Sequence, residues 1–229
     1  MKQAFFPGLT GNQLKLLALV TMTCDHVGLV LLPQFPVLRI IGRLAFPIYA
    51  YMIGEGCRHT RNLGRYWYTM AAFALVCQAG SWIATGSLYQ SVLVSFTLAI
   101  GLIWLLSEVK CPLPVTILLF AAGTGAAFFL CHGLPALLPG TDYAIDYGFI
   151  GVLLPVLVWL GKEKWQSLVL FAVGLFSLAY YFGGNQWWCL AALFPLALYN
   201  GQRGRANMKY LFYVYYPAHL VVIYLLGMM

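Results

Sequence analysis

Charge is the scarcest commodity in this sequence. Only 8% of its 229 residues are Asp, Glu, Lys or Arg, and just six are acidic, whereas a soluble globular domain carries about 25% charged residues. With 62% apolar residues, the chain has too little polar material to face water as a folded domain. Cysteine is also sparse in pattern: Cys24, Cys57, Cys77, Cys111, Cys131 and Cys189 contain no CxxC pair, which argues against a zinc module, a dithiol redox site or a disulfide-stapled secreted fold. No repeat at a period of about 20 to 50 residues and no Walker, Rossmann or HExxH pattern is present, so solenoids and the common nucleotide-binding and zinc-hydrolase folds are set aside. The apolar runs lack the alternation of an outer-membrane barrel strand. A net charge of +7 would suggest nucleic acid in a soluble protein; here the cations orient spans, and no nucleic-acid partner is expected.

Long apolar runs are what the chain has instead. Mean hydropathy is +0.83, and with about 20 residues per transmembrane helix there is room for little else. Apolar stretches bounded by turn residues lie at 13–33, 37–57, 66–85, 91–107, 113–131, 147–161, 167–183, 186–199 and 210–228. They predict an all-α, polytopic membrane bundle of about nine helices, forming a single domain over residues 1–229. Pro155 and Pro195 mark the sixth and eighth runs as the ones expected to tilt, re-enter or break.

Arg58, Arg61 and Arg65 follow the second run, and the positive-inside rule places them, and the amino terminus, in the cytoplasm. Alternation then brings Lys2, Lys110, Lys162, Lys164, Arg203, Arg205 and Lys209 to the same side, and puts Asp142 and Asp146 outside. The first run keeps charge in its interior and has no cleavage pattern after it, so it is expected to stay in the mature protein. The location expected is a bacterial cytoplasmic membrane, with the lipid bilayer as surroundings.

The informative residues are the charges at depth. Lys15, Asp25 and His26 fall in the first run or at its edge, and Arg39, Arg43 and Glu55 in the second. Each ionisable group at membrane depth costs at least about 2.5–3.5 kcal/mol on the insertion scale, so such a cluster signals function. Structural ion pairing is the plainer explanation for any single pair. Eleven residues separate Lys15 from His26, which on an α-helix is three turns plus about 20°, so both share one face about 16 Å apart. Asp25 projects about 100° away from His26, which makes an arginine its expected partner. Arg39 and Arg43 form an i, i+4 pair of like charge, of which Asp25 is expected to neutralise one. Lys15 and Glu55 fall at the same level of the antiparallel pair, so an ion pair between them is a further expectation. In the last run, FYVYYPAHLVVIY sets His219 after Tyr213, Tyr215 and Tyr216. The plainer reading of His219 is a buried neutral histidine bonded to a backbone carbonyl.

These residues carry a resemblance. LTGNQLKLLALVTMTCDHVG, LRIIGRLAFPIYAYMIGEGCRHTRN and FYVYYPAHL look like the TraX family of conjugation-associated membrane proteins, over essentially the whole chain. YGFIGVLL, near 147–154, supports it. That family is similar to wider membrane acyltransferase families, in which a basic residue, ten residues and a histidine recur in the first helix, as Lys15 and His26 do here. The founding member is associated with N-acetylation of pilin. The resemblance therefore implies an acetyltransferase with acetyl-CoA as donor; the acceptor, an envelope glycan, a lipid or a membrane or pilin protein, is not transferred with it. No metal is expected.

Residues and resemblance together assign His26 as general base or acyl carrier, Arg43 and Arg39 as oxyanion stabilisers, and Asp25 as the group that holds them. Lys15, Glu55, Arg58, His59, Arg61, Arg65, Arg203, Arg205 and Lys209 are the candidates for coenzyme A, whose phosphates suit basic residues. His219 and Tyr216 are assigned to the acceptor side. The alternative is a proton-coupled secondary transporter, which would also bury Asp, His and Arg but predicts two related halves that the sequence does not display. A non-catalytic assembly protein is the third reading, and it leaves the buried charges unexplained.

Overall fold

The structure is a computed structural model that describes residues 8–108, 112–205 and 208–228. Lys2, Lys110, Cys111 and the side chain of Lys209 lie outside the described residues. Those described are helical, with no strand beyond two isolated bridges. In order the elements are α1 (Gly11–Val30), α2 (Pro36–Gly42), α3 (Ala45–His59), α4 (Leu63–Thr85), α5 (Val92–Glu108), α6 (Leu113–Phe128), α7 (Leu134–Leu137), α8 (Gly148–Leu160), α9 (Lys164–Phe182), α10 (Leu193–Ala197) and α11 (Lys209–Gly227). A π segment, Phe129–Gly133, joins α6 to α7, and a 3-10 helix, Gly184–Ala192, precedes α10.

Among the described residues, four stretches are long and apolar enough to cross a membrane: Gly11–Val30, Pro36–His59, Leu113–Leu137 and Lys164–Phe182. Val92–Ser107, Gly148–Leu160 and Leu211–Gly227 are shorter apolar helices. The chain is thus an all-helical protein of membrane character.

The stretch expected to form the eighth span is not a continuous α-helix. Gly183 and Gly184 sit at φ +65° and +51°, left-handed values that end α9 at no steric cost for glycine. Pro195 lies in the first turn of α10; in a helix begun near 186 its ring would meet the carbonyl of Ala191. The 3-10 form carries the chain between these two breaks.

The chain divides into two compact units, Met1–Met52 with Leu175–Met229, and Ile53–Gly174. In the first, Thr10 caps α1: its hydroxyl accepts from Gln13 N at 3.4 Å, and Gln13 Oε1 accepts from Thr10 N at 2.8 Å, a capping box that satisfies orphan donors. Two more first-turn amides are satisfied by a loop, Gly11 N donating to Gln202 O at 2.8 Å and Asn12 N to Arg203 O at 3.0 Å. The 198–203 segment therefore lies at the start of α1. The Phe182–Gln186 turn lines one cavity with Arg39 and Arg43, toward the other end of α1. Gly184–Ala197 thus spans about 21 Å, between the level of Asp25 and that of Gly11, with its 3-10 part against α2. Irregular backbone at membrane depth is tolerated where protein or a cavity covers it, and this segment lines one.

The second unit is knit by α5 against α4 and α8, with Phe96, Ile100, Ile103, Val152, Leu154 and Val158 buried. At one end, Leu88 N donates to Asp142 Oδ1 at 2.9 Å and Tyr89 OH to Asp146 Oδ1 at 2.8 Å. The 87–90 and 142–146 loops therefore lie together at one end of this unit.

Candidate functional site

Gly28 and Gly42 bring α1 and α2 close together. A Cβ on Gly28 would press on Leu38, and one on Gly42 would overlap the Asp25 side chain; small residues permit this approach of helices. Asp25 is thereby held against α2 and meets both arginines rather than the single one expected. Its Oδ2 accepts from Arg39 Nη1 and its Oδ1 from Arg43 Nη2 at 2.8 Å. Bridging by one carboxylate is what lets two like charges sit one turn apart. Arg43 also donates from Nε to Arg39 O at 3.3 Å and from Nη1 to Gln186 Oε1 at 3.2 Å. Gln186 is a partner that the sequence did not single out, since it lies 143 residues from Arg43.

His26 turns away from this cluster, to α11. Its Nδ1 lies 2.9 Å from Met22 O, and His219 Nδ1 lies 2.9 Å from Tyr215 O. A carbonyl only accepts, so each neutral ring carries its proton on Nδ1. A buried histidine on a backbone carbonyl, the plainer reading of His219, is thus part of its geometry, and both rings share it. His219 Nε2 is then a lone pair, 3.3 Å from His26 Nδ1, and shares that proton with Met22 O. The remaining nitrogen, His26 Nε2, keeps a free lone pair with no partner among the described residues. The rings meet edge to face at 5.0 Å. Tyr215 stacks on His219 at 5.2 Å and 11° and is itself fixed by a 2.8 Å hydrogen bond with Thr23 of α1. Tyr216 packs edge-on against His219 at 5.8 Å. His219 was expected on the acceptor side; it stands directly beside His26.

Arg39 and Arg43 act electrostatically on His26, so the carboxylate cluster and the imidazole pair form one site. Lys15 lies toward the other end of α1, about 16 Å from His26 along the axis. Its Nζ sits over the Phe212 ring at 5.8 Å, with Arg203 near enough to repel it. Arg203 and Arg205 are exposed.

In the second unit Glu55 is buried at 7% exposure and takes Arg58 and His59, the latter at 3.5 Å, as partners. Arg58 donates as well to the carbonyls of Val158 and Gly161 and to Ser167 Oγ, the last two at 2.6 and 2.9 Å. Those carbonyls end α8, and Arg58 adds its donors to those of Ser167 Oγ and Gly161 N. The geometry gives Glu55 and Arg58 structural occupations where coenzyme A had been expected. Arg61 and Arg65 remain exposed.

A family model described as TraX protein matches residues 10–227. A probable fimbrial assembly protein, FimC of serogroup H1, from Dichelobacter nodosus is 26% identical over 247 residues, which cover 92% of this chain and 93% of the relative. An uncharacterised protein of Rickettsia prowazekii (strain Madrid E) is 49% identical over 41 residues, 18% of this chain and 16% of its own. No solved structure matches significantly.

Proposed function

The chain belongs to the TraX protein family, and from that premise we propose that it is a membrane-embedded acetyltransferase, akin to the wider membrane acyltransferases. It moves the acetyl group of cytoplasmic acetyl-CoA to an amine or hydroxyl of an acceptor in the membrane or envelope. The observation that carries this is the unpaired Nε2 lone pair of His26, oriented by two hydrogen-bond partners at Nδ1. A base with its tautomer set is what acyl transfer needs. His26 Nε2 takes the proton of the acceptor nucleophile as that atom attacks the thioester carbonyl. The new C–N or C–O bond forms, the C–S bond breaks, and the proton passes to the departing thiolate. While His26 is cationic, His219 Nε2 accepts from its Nδ1–H and stabilises it. The guanidinium N–H groups of the Asp25–Arg39–Arg43 cluster act near the imidazole, where they favour the oxyanion.

Of the residues assigned to the donor, Lys15, Arg61, Arg65, Arg203, Arg205 and Lys209 keep that role here. Arg58 instead holds the end of α8, with Glu55 as its ion-pair partner and His59 beside Glu55. Tyr216 packs His219. The Dichelobacter relative is named for fimbrial assembly, and a pilin-type protein joins envelope glycans and lipids as a proposed acceptor. We place the protein in the bacterial cytoplasmic membrane with its amino terminus inside.

The test uses purified full-length protein in nanodiscs with isotopically labelled acetyl-CoA, and mass spectrometry of glycans, lipids and surface proteins from wild-type and deletion cells. Labelled acetyl should reach one class of acceptor, and His26→Ala should abolish transfer at unchanged melting temperature. A folded His26→Ala protein that still transfers acetyl would remove the mechanism, and a proton-coupled transporter would become the better reading.

A further inference from the structure

The first unit contains a cavity of about 310 Å³ lined by Arg39, Arg43 and the Phe182–Gln186 turn. We infer that it is an anion site that holds a carboxylate of the acceptor beside the group to be acylated. The inference rests on the acetyl-transfer reading only in calling that ligand the acceptor.

Asp25 is the one acid that the sequence supplies in residues 1–52 and 175–229, and both arginines already lean on it. One positive charge is left over, at a depth where an unbalanced ion is costly. Arg39 points the surplus into the cavity. Its Nη1 is engaged by the carbonyl and carboxylate of Asp25, while Nε and Nη2 have no partner among the described residues and the side chain is 30% exposed. Those two N–H groups form the side-on fork that matches two carboxylate oxygens.

Gln186 supplies a second, independent donor. Only 6% exposed, it is turned by its Oε1 bond to Arg43, so that Nε2 is a buried N–H group with the weak Cys189 sulfur as its neighbour and no oxygen or nitrogen acceptor. A buried donor left in this way is costly until something accepts from it. Gly183 and Gly184 keep the entrance open, since nothing lies within 4 Å of where their Cβ atoms would be.

Charge count selects the ligand. A carboxylate brings the single negative charge that balances Asp25, Arg39 and Arg43, whereas a phosphate dianion would overshoot. The donor's phosphates have a basic end of their own at Lys15 and Arg203, toward the opposite end of α1. Arg43, fixed by Asp25 and Gln186, is left to the chemistry, and Arg39 becomes the recognition residue. The substrate class is therefore an acceptor with a carboxylate close to its amine or hydroxyl.

The experiment follows modification of Arg39 by phenylglyoxal in the full chain in nanodiscs, read by peptide mass spectrometry, with hexanoate, 1-hexanol, hexyl phosphate or coenzyme A present. Hexanoate should slow modification of Arg39 and 1-hexanol should not. In Gln186→Leu, shown to be folded by its melting curve, the protecting concentration of hexanoate should rise about tenfold, the value of one hydrogen bond to a charged group. Equal protection by 1-hexanol would overturn the inference, as would an unchanged Gln186→Leu. Protection by hexyl phosphate or coenzyme A at lower concentration than hexanoate would assign the cavity to the donor and overturn it too. Protection is read without turnover, so a failure of acetyl transfer would leave this site standing.

Discussion

Replacing Arg58 with Met separates a structural guanidinium from a coenzyme A ligand. The aliphatic stem is kept, and every donor is lost. What remains is Glu55, buried at 7% exposure, with His59 at 3.5 Å, the Gly161 carbonyl with Ser167 Oγ at 3.3 Å, and the Val158 carbonyl with Ser167 Oγ at 3.0 Å and Gly161 N at 3.3 Å. Removing one partner of a buried ion pair costs about 3–5 kcal/mol; with the Arg58 side chain 25% exposed, solvent screening brings this to about 2–3 kcal/mol. For a chain of this length that is a drop of about 4–12 °C in melting temperature. Tryptophan fluorescence of the protein in detergent during heating measures it. Glu55→Gln combined with Arg58→Met should recover roughly half the loss, because the unpaired charge is gone while the α8 carbonyls stay under-donated. Unchanged melting of Arg58→Met with weakened coenzyme A binding would refute the reasoning and return Arg58 to the ligand.

Gly42→Ala should push Asp25 off the two arginines and cost about 1–3 kcal/mol through overpacking, visible as a lower melting temperature and slower transfer; wild-type behaviour would mean that α1 and α2 give way freely. His219→Phe should preserve melting but lower kcat and alter its pH profile, with partial recovery in His219→Gln; an unmoved pH profile would reduce His219 to packing. The Asp142 carboxyl is held below its ordinary value by hydrogen bonds from Ser87 Oγ and Leu88 N. A depressed carboxyl stabilises the fold above its unfolded pKa, and the contribution fades as pH falls through the folded value. Protection of the amides at residues 87–90, taken relative to their intrinsic exchange rates, should therefore fall below the usual carboxylate range in wild type, and be low at every pH in Asp142→Ala. Reporter fusions after Arg65 should read cytoplasmic and those at Gly140 external; the reverse would invert the proposed topology.

Composition and hydropathy were enough to establish a helical membrane protein, since 62% apolar residues and six acids leave no other way to satisfy the backbone. Residue spacing marked α1 and α2 as the place of the site, because an ion at membrane depth is costly wherever it points. Spacing along one helix says nothing about what another helix brings. That His219 meets His26 across 193 residues, that Gln186 turns Arg43, and that Asp25 holds two arginines instead of one were decided by packing, through glycines that let α1 and α2 touch. Arg58 shows the same division. From sequence it is one of three arginines in a basic loop, and only tertiary structure places the open carbonyls of α8 within its reach. Partner choice among like charges depends on which acceptors are left unsatisfied nearby, and that is a property of the folded chain.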